Sequence, residues 1–436
     1  MAGKAAASFG SDILSVFSSN IFSLVANLAV VVLLTRKLGP EGYGLYTAVL
    51  VVPLLVVSFF QMGIRPTTVF MIGSGKYDAN QVVSAVLSTL LITSSAGIIF
   101  STIAYIAMYK IGYTPLLISL ALVTIPMRLT AIYAGGVFLA KEQMRKANQM
   151  NWVTALLTLL SAVLLVWILK TGVIGALSGM MLSNLAVSAY GLWLLYKEYN
   201  VTISLKNTLI IKMIRTGVLY ALSFLIIQLN FRIDIVFLQL MTDKREVGLY
   251  SLGVAVAELL WQIPLAIGIV VMTRSANTTD TRQMNERTAR LLRLSLIAGF
   301  FLSIFIFLLA PFIIPLVFGQ KYIPSISIIQ TILPGIIMVI IFRILSGQLS
   351  GIGKPEVAFK AFIPALVLNV IFNMILIPEM GGLGAAISSN ISYFAGTMLY
   401  LVLYTRITGS KFSELFHFNK EDFKVVSIYL NRFVKK

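Results

Sequence analysis

Residues 294–318 read LSLIAGFFLSIFIFLLAPFIIPLVF, an unbroken run without one charged side chain. A helix needs about 20 mostly apolar residues to cross a hydrocarbon core about 30 Å thick, and this run exceeds that. Working outward, similar segments bounded by charges, Gly or Pro fall at roughly 9–35, 43–64, 80–109, 113–140, 150–169 and 172–196. After a polar stretch they resume at about 216–241, 247–273, 291–318, 324–350, 356–378 and 382–405. Twelve spanning helices are predicted. Composition agrees: 58% of residues are hydrophobic and 11% charged, and mean hydropathy is +0.93. Soluble domains carry about 25% charged residues, so water is not this chain's main solvent. The first run continues to about Leu34, too long for a cleavable signal sequence, and reads as the first membrane helix.

The net charge of +18 is explained by its placement. Arg36, Lys37, Lys110, Lys170, Lys244, Arg245 and Lys321 fall on one side of the twelve-helix arrangement. Arg128, Arg232 and Arg343 lie within segments, and all other basic residues fall on the opposite side. Basic loops stay in the cytoplasm, so both termini are expected there, in a multi-pass protein of the cell membrane. The surplus is topogenic, and no nucleic-acid partner is expected.

The chain also repeats. Gly44-Leu45-Tyr46 recurs as Gly248-Leu249-Tyr250, Pro126 is matched by Pro334, and Gly175-Ala176 by Gly384-Ala385, at similar offsets. Each half has six segments, so both halves enter the membrane from the same side and form parallel repeats. The expected fold is all-α and polytopic, with two six-helix lobes around a central cavity. An N-lobe spans 1–204, a C-lobe 205–408, and a polar tail 409–436. The tail places Phe412, Leu415, Phe416, Phe423, Val426, Leu430 and Phe433 at helix-like spacing among lysines, as an amphipathic segment on the cytoplasmic face would. Long cytoplasmic loops are expected near 197–215 and 274–290.

Several chemistries are excluded by residue type. The chain has no cysteine, and its one histidine is His417, so thiol and imidazole chemistry and their metal sites are set aside. No GxxxxGK[ST] run is present, so ATP does not power the protein directly. No cofactor or metal is expected. No outer loop is large enough to hold a catalytic domain, which argues against a membrane-bound polymerase or ligase.

Ionisable residues at membrane depth cost about 2.5–3.5 kcal/mol on insertion scales and usually face a cavity or a partner. Arg128 sits mid-way along segment 4, between Pro126 and Ala134-Gly135-Gly136. Arg343 lies in segment 10, and Arg65 ends segment 2. Arg232 and Asp234 lie in segment 7, and Glu258 in segment 8. One reading has the arginines line a cavity for an anion, since guanidinium forks match phosphate oxygens and keep their charge when desolvated. The other has them pair with Asp234 and Glu258 as structural locks. Arg232 and Asp234 are two apart and face different directions, so they are not simple partners. Asn230 and Asp234 share a face, as do Asn369 and Asn373. Asp234, Glu258 and Asn230 are the candidates for gating or ion coupling. Arg65 is either a cavity residue or an interfacial anchor. The interior prolines Pro53, Pro126, Pro264, Pro334 and Pro364 mark kinks.

The run from Leu34 to Tyr46, LTRKLGPEGYGLY, resembles the junction of helices 1 and 2 in polysaccharide flippases. These form the polysaccharide-transporter branch of the multidrug/oligosaccharidyl-lipid/polysaccharide (MOP) exporter superfamily. Arg232-Ile-Asp234, Glu246-Val-Gly-Leu-Tyr250 and Ala257-Glu258-Leu259 are similar to the family's helix 7–8 region. Gly351-Ile-Gly-Lys-Pro355 and Gly381-Gly-Leu-Gly-Ala385 continue the likeness, which covers about 5–408. The resemblance implies a flippase that moves a polyprenyl-diphosphate-linked oligosaccharide to the outer leaflet by alternating access, for polysaccharide assembly. It implies a cationic cavity, for which the intramembrane reading offers Arg128, Arg343, Arg65 and Arg232, with membrane lipid around it, a coupling H+ or Na+, and polymerase machinery as a partner. One departure is Tyr220-Ala221, where such relatives often carry a proline. Lipid II flippases of the superfamily carry two further helices, for which this chain leaves no room. The alternative of another class is an ion-coupled multidrug or cation antiporter of the same fold. It requires an intramembrane carboxylate, for which Asp12, Asp234 and Glu258 are the candidates.

Overall fold

The computed structural model describes the backbone of residues 2–417 except 74–75, 109–112, 142, 205–207, 277 and 279. Its side chains are described from residue 19, save 219. The described residues are mostly helical, joined by short turns and one extended strap after residue 199. The first helix, α1 (Ala2–Phe60), contains one non-helical residue, Gly39, at φ 67 and ψ 180. The apolar stretch Ser19–Gly73 covers 55 residues, about 80 Å at 1.5 Å per residue. That is far more than one crossing, so the chain crosses twice, turning at Gly39. Only glycine takes that φ without strain, and Pro40 supplies a φ suited to a helix's first turn. Eleven long apolar helices among the described residues thus make twelve crossings in a multi-pass membrane protein.

A second break follows at Met62 (φ 48) and Gly63 (φ 56), before α2 (Ile64–Gly73). Arg65 therefore stands in the first turn of α2 and does not end the preceding helix, a correction to the sequence reading. Next come α3 (Ala79–Ala107), α4 (Pro115–Ala140), α5 (Met144–Ser161, prolonged by a wide turn Ala162–Ile168) and α6 (Gly172–Glu198). Beyond them run α7 (Thr208–Met241), α8 (Lys244–Ala257), α9 (Gln262–Ala276), α10 (Thr281–Ile313), α11 (Ser325–Gly351), α12 (Glu356–Met380), α13 (Gly382–Thr408) and the short α14 (Phe412–Phe416). The two long loops expected from hydropathy are shorter than predicted, because α7 and α10 begin earlier with polar turns. Charged turns in water do not oppose helix formation, and hydropathy registers only the apolar portion. Of the tail, residues 418–436, with Phe423, Val426, Leu430 and Phe433, lie outside the described residues.

Two compact units emerge. The first comprises Met1–Gln228, Thr242–Gly248 and Val317–Lys321; the second comprises Leu229–Met241, Leu249–Leu316 and Tyr322–Lys436. In the first, α3 and α4 bury Val82, Val86, Ile125, Leu129, Tyr133 and Val137 completely. Two buried hydroxyls on α3 bond back along their own helix: Ser88 to the Ser84 carbonyl at 2.8 Å and Thr89 to that of Ala85 at 2.7 Å. Polar side chains are thereby satisfied away from water, and their small size permits close packing.

An extended strap after α6 runs along the same helix. The backbone N–H groups of Asn200, Thr202 and Ser204 donate to the side chains of Asn80, Ser84 and Ser88 at 3.0, 3.0 and 3.1 Å. Two extended residues advance about 6.7 Å and four helical residues about 6 Å, so alternate strap residues stay in register with every fourth residue of α3.

In the second unit, α11 is the central element, with Ile329, Ile332, Ile336, Val339 and Ile340 buried. Its approach to α9 depends on glycine. A Cβ added at Gly347 would lie 2.2 Å from the Gly268 carbonyl oxygen, and one at Gly268 would lie 2.7 Å from the Arg343 carbonyl oxygen. Small residues let membrane helices touch backbone to backbone, and this contact sets where Arg343 stands.

Candidate functional site

The break between α8 and α9 shapes the first cluster. Residues Glu258–Trp261 form a tight 3-10 turn, and Pro264 follows two residues into α9. Proline cannot donate to the carbonyl one turn back and distorts that turn, as the sequence reading expected at Pro264. The turn directs Glu258 at α7, where Arg232 Nη2 reaches Glu258 Oε2 at 2.8 Å. Both side chains are largely covered, at 24% and 17% exposure, so the pair is shielded from solvent. The second Glu258 oxygen is buried without a partner.

Arg343 stands beside this pair. Its guanidinium carbon lies 5.1 Å from the Phe231 ring centre and 5.0 Å from that of Trp261. Those rings meet edge to face at 4.8 Å, and Tyr393 packs on Phe231 at 5.4 Å. Cations over aromatic faces gain about 0.5–2 kcal/mol, more when desolvated. No ion pair within 4.0 Å neutralises Arg343 among the described residues, and its Nε is buried without a hydrogen-bond partner. The arrangement holds a guanidinium by its faces and leaves its N–H edge as the donor side.

Two residues along α7, on a different face, Asp234 is wholly buried. Tyr250 and Ser389 donate their hydroxyls to Oδ2 at 2.8 and 2.6 Å, and Asn373 donates Nδ2 to Oδ1 at 2.6 Å. Asn373 also donates to Asn369 Oδ1 at 2.6 Å, and its own Oδ1 is buried without a partner. One turn away, Asn230 donates to the Phe362 carbonyl at 3.0 Å and accepts from Ser392. This is a single carboxylate in a shell of neutral oxygen and amide groups, with no arginine or lysine among its hydrogen-bond partners. Two of its three donors, Tyr250 and Ser389, were missed by the sequence reading, as was Ser392, which donates to Asn230. Tyr250 had a signal, since it ends the repeated Gly-Leu-Tyr; the serines had none, because buried serines are common in membrane helices.

The first unit holds Arg65 and Arg128. Arg128 lies in α4, half-buried, near the neutral phenol of Tyr46. It makes no ion pair within 4.0 Å among the described residues. Arg65 is exposed on α2, and its backbone packs on α4 where Gly136 leaves room: a Cβ there would sit 3.1 Å from the Arg65 Cα. The second unit thus gathers Arg232, Glu258 and Arg343 in one cluster and Asn230, Asp234, Asn369 and Asn373 in another. The repeat-related tyrosines differ in charge environment, Tyr46 near a guanidinium and Tyr250 on a carboxylate.

Comparison with known proteins gives a consistent result. A family model described as "Polysaccharide biosynthesis protein" matches residues 9–273, and one described as "Lipid II flippase MurJ" matches 207–432. The capsular polysaccharide biosynthesis protein CapF of Staphylococcus aureus is 23% identical over 399 residues, covering 90% of this chain and 98% of that protein. Among solved structures, lipid II flippase MurJ in an inward closed conformation superposes with a TM-score of 0.75 at 14% identity, covering 93% of this chain and 88% of that one. An inward-facing multidrug resistance MATE family transporter of the MOP superfamily gives 0.73 at 18% identity, covering 91% and 98%. These likenesses identify the fold as the twelve-helix, two-lobe MOP architecture.

Proposed function

We propose that this chain, which belongs to the polysaccharide biosynthesis protein family within the polysaccharide-transporter branch of the MOP superfamily, flips a polyprenyl-diphosphate-linked oligosaccharide across the cell membrane. The observation that carries the reading is fixed positive charge at membrane depth without an ion-paired carboxylate. Arg343 is held between two rings, and Arg128 has no ion pair within 4.0 Å among the described residues. A bare guanidinium in a membrane span is costly, and a diphosphate bound bidentately offsets that cost. Arg128, Arg343, Arg232 and Arg65 are the residues proposed to receive the diphosphate in turn as the N-lobe, 1–204, and the C-lobe, 205–408, alternate in access. The protein acts as a transporter and not an enzyme, with both termini cytoplasmic, and delivers substrate to polysaccharide polymerase machinery.

Asp234 is the proposed coupling group. A carboxylate ringed by hydroxyl and amide groups can exchange a proton or hold a small monovalent cation, and Asn230 braces the same face of α7. Glu258 sets the availability of Arg232 through their ion pair. A second reading, lipid II as the cargo, draws support from the match over 207–432. Its head is also a polyprenyl diphosphate bearing sugars, so the same arginines would serve.

The test is flipping in vesicles. Protein reconstituted with a fluorescent undecaprenyl-diphosphate oligosaccharide should expose it to the opposite leaflet, and Arg128→Ala and Arg343→Ala should each slow exposure about 10-fold or more, one lost charge-assisted contact being worth about 1.4 kcal/mol or more. Normal transport by both variants and by their double mutant rules the cationic path out. Faster flipping of labelled lipid II than of the oligosaccharide favours the second reading.

A further inference from the structure

Topology accounts for positive charge on the end of the bundle read as cytoplasmic. The second unit uses part of it differently. A cavity of about 720 Å³ opens between the first turns of α10 and residues 408–417. Its size is that of a small-molecule site, but such sites are mostly apolar, and this one is polar and charged. Arg282, Arg290 and Arg293 stand on its α10 wall, where spacings of eight and three residues place them along one face. Ala289 lies between them and leaves the space open. Across from them, Thr408, Ser410 and Ser413 bring hydroxyls, and His417 stands among them.

The walls are built rather than incidental. Arg293 is only 7% exposed, and its Nη1 donates to the Glu414 carbonyl at 2.8 Å, which fixes the guanidinium in the wall. Asn285 donates to the Thr408 carbonyl at 3.1 Å and accepts from Gln348 at 2.6 Å, tying α10 to α13 and α11. Two carboxylates also line the cavity, and each is engaged. Glu286 meets Arg282 at 3.4 Å, and Glu414 Oε2 takes the Lys411 backbone N–H at 3.1 Å. Topology requires cations on this side but not their convergence on a hollow. Arg274 and Arg287 satisfy the same rule from outside it.

We propose that this pocket is an accessory site, separate from the transport path, for a phosphate-bearing anion. Guanidinium groups grip phosphate oxygens in pairs, and hydroxyls from Ser410 and Ser413 complete the donor set, that of Thr408 being donated to the Tyr404 carbonyl. Two sources of that chemistry reach it: the head group of an anionic phospholipid in the adjoining leaflet and a free phosphate compound in the cytoplasm.

The experiment uses the full chain in phosphatidylcholine nanodiscs, titrated in one arm with phosphatidylglycerol and in the other with inorganic phosphate. Arg290→Gln removes one gripping group, and the exposed Ser413→Glu places a negative charge in the hollow. Arg287→Gln, on the same helix but outside the cavity, is the control. About 10-fold weaker binding in both cavity variants, as loss of one charge-assisted contact gives, with the control within twofold of the parent, supports the proposal. Weakening confined to phosphatidylglycerol assigns a lipid head group, and weakening with inorganic phosphate assigns a free anion. The proposal is overturned if the parent binds neither probe, if both cavity variants bind as the parent does, or if the control loses as much as they do.

Discussion

Asp234→Asn separates the charge of the buried cluster from its shape. Asp234 accepts three hydrogen bonds, from Tyr250, Ser389 and Asn373, at 2.6–2.8 Å. An asparagine can keep its oxygen toward the two hydroxyls, which turns its amide N–H2 toward Asn373. Asn373 has a buried Oδ1 without a partner, so its amide can turn over to accept, and Asn369 can follow to donate. Three of three contacts are recovered, and the expected cost is below about 1 kcal/mol. Asp234→Leu strands all three donors. Each stranded buried group costs about 1–3 kcal/mol in soluble proteins, but polar contacts between membrane helices average only about 0.6 kcal/mol. The membrane value applies to these spans, so about 2 kcal/mol is expected. Thermal unfolding in detergent should therefore leave the Asn variant near the parent and lower the Leu variant by several degrees. Transport assays with imposed proton or sodium gradients should show both variants insensitive to the gradient. An Asn variant that melts with the Leu variant would refute the amide-turnover argument, and one that keeps its gradient response would refute Asp234 as the coupling group.

Other expectations test neighbouring contacts. A double-mutant cycle on Arg232→Gln and Glu258→Gln should return a coupling of about 1–3 kcal/mol in unfolding, above the usual surface value of up to about 1 kcal/mol, because both groups are mostly covered; a coupling near zero denies them a structural link. Gly347→Ala puts a methyl 2.2 Å from the Gly268 carbonyl oxygen. Backbone cannot yield as a side chain does, so a loss of about 1–3 kcal/mol is expected, while Gly353→Ala, at a positive φ with nothing within 4 Å, should lose less. Ser84→Ala and Ser88→Ala remove the acceptors for the Thr202 and Ser204 amides. Hydrogen exchange at those two amides should accelerate while the interior of α3 stays protected, and unchanged exchange would mean the strap is held by other contacts.

The helices were legible because each crossing requires its own run of apolar residues, and ten of the expected segments agree with a single helix or a bent one. The first two were harder, since Gly39 turns the chain inside what remains hydrogen-bonded as one helix. Charge distribution supported the count, but it assigned Arg282, Arg290 and Arg293 only a topological role, since sequence position cannot show three side chains meeting at one hollow. Spacing correctly denied a bond between Arg232 and Asp234: the first pairs with Glu258 and the second with Tyr250, Ser389 and Asn373. The aromatic clamp on Arg343 was not legible, because Phe231 and Trp261 belong to helices that sequence alone does not bring together.

What the sequence determined by itself was solvent, helix count and repeat, all of which follow from local hydropathy and period. Partnership was decided by tertiary structure. Asp234 and Ser389 are 155 residues apart, and Arg343 reaches its rings because Gly268 and Gly347 let α9 and α11 touch. In a chain whose surface and core are equally apolar, composition does not say which face of a helix turns inward. That is settled by where small residues permit close approach and where buried polar groups find one another.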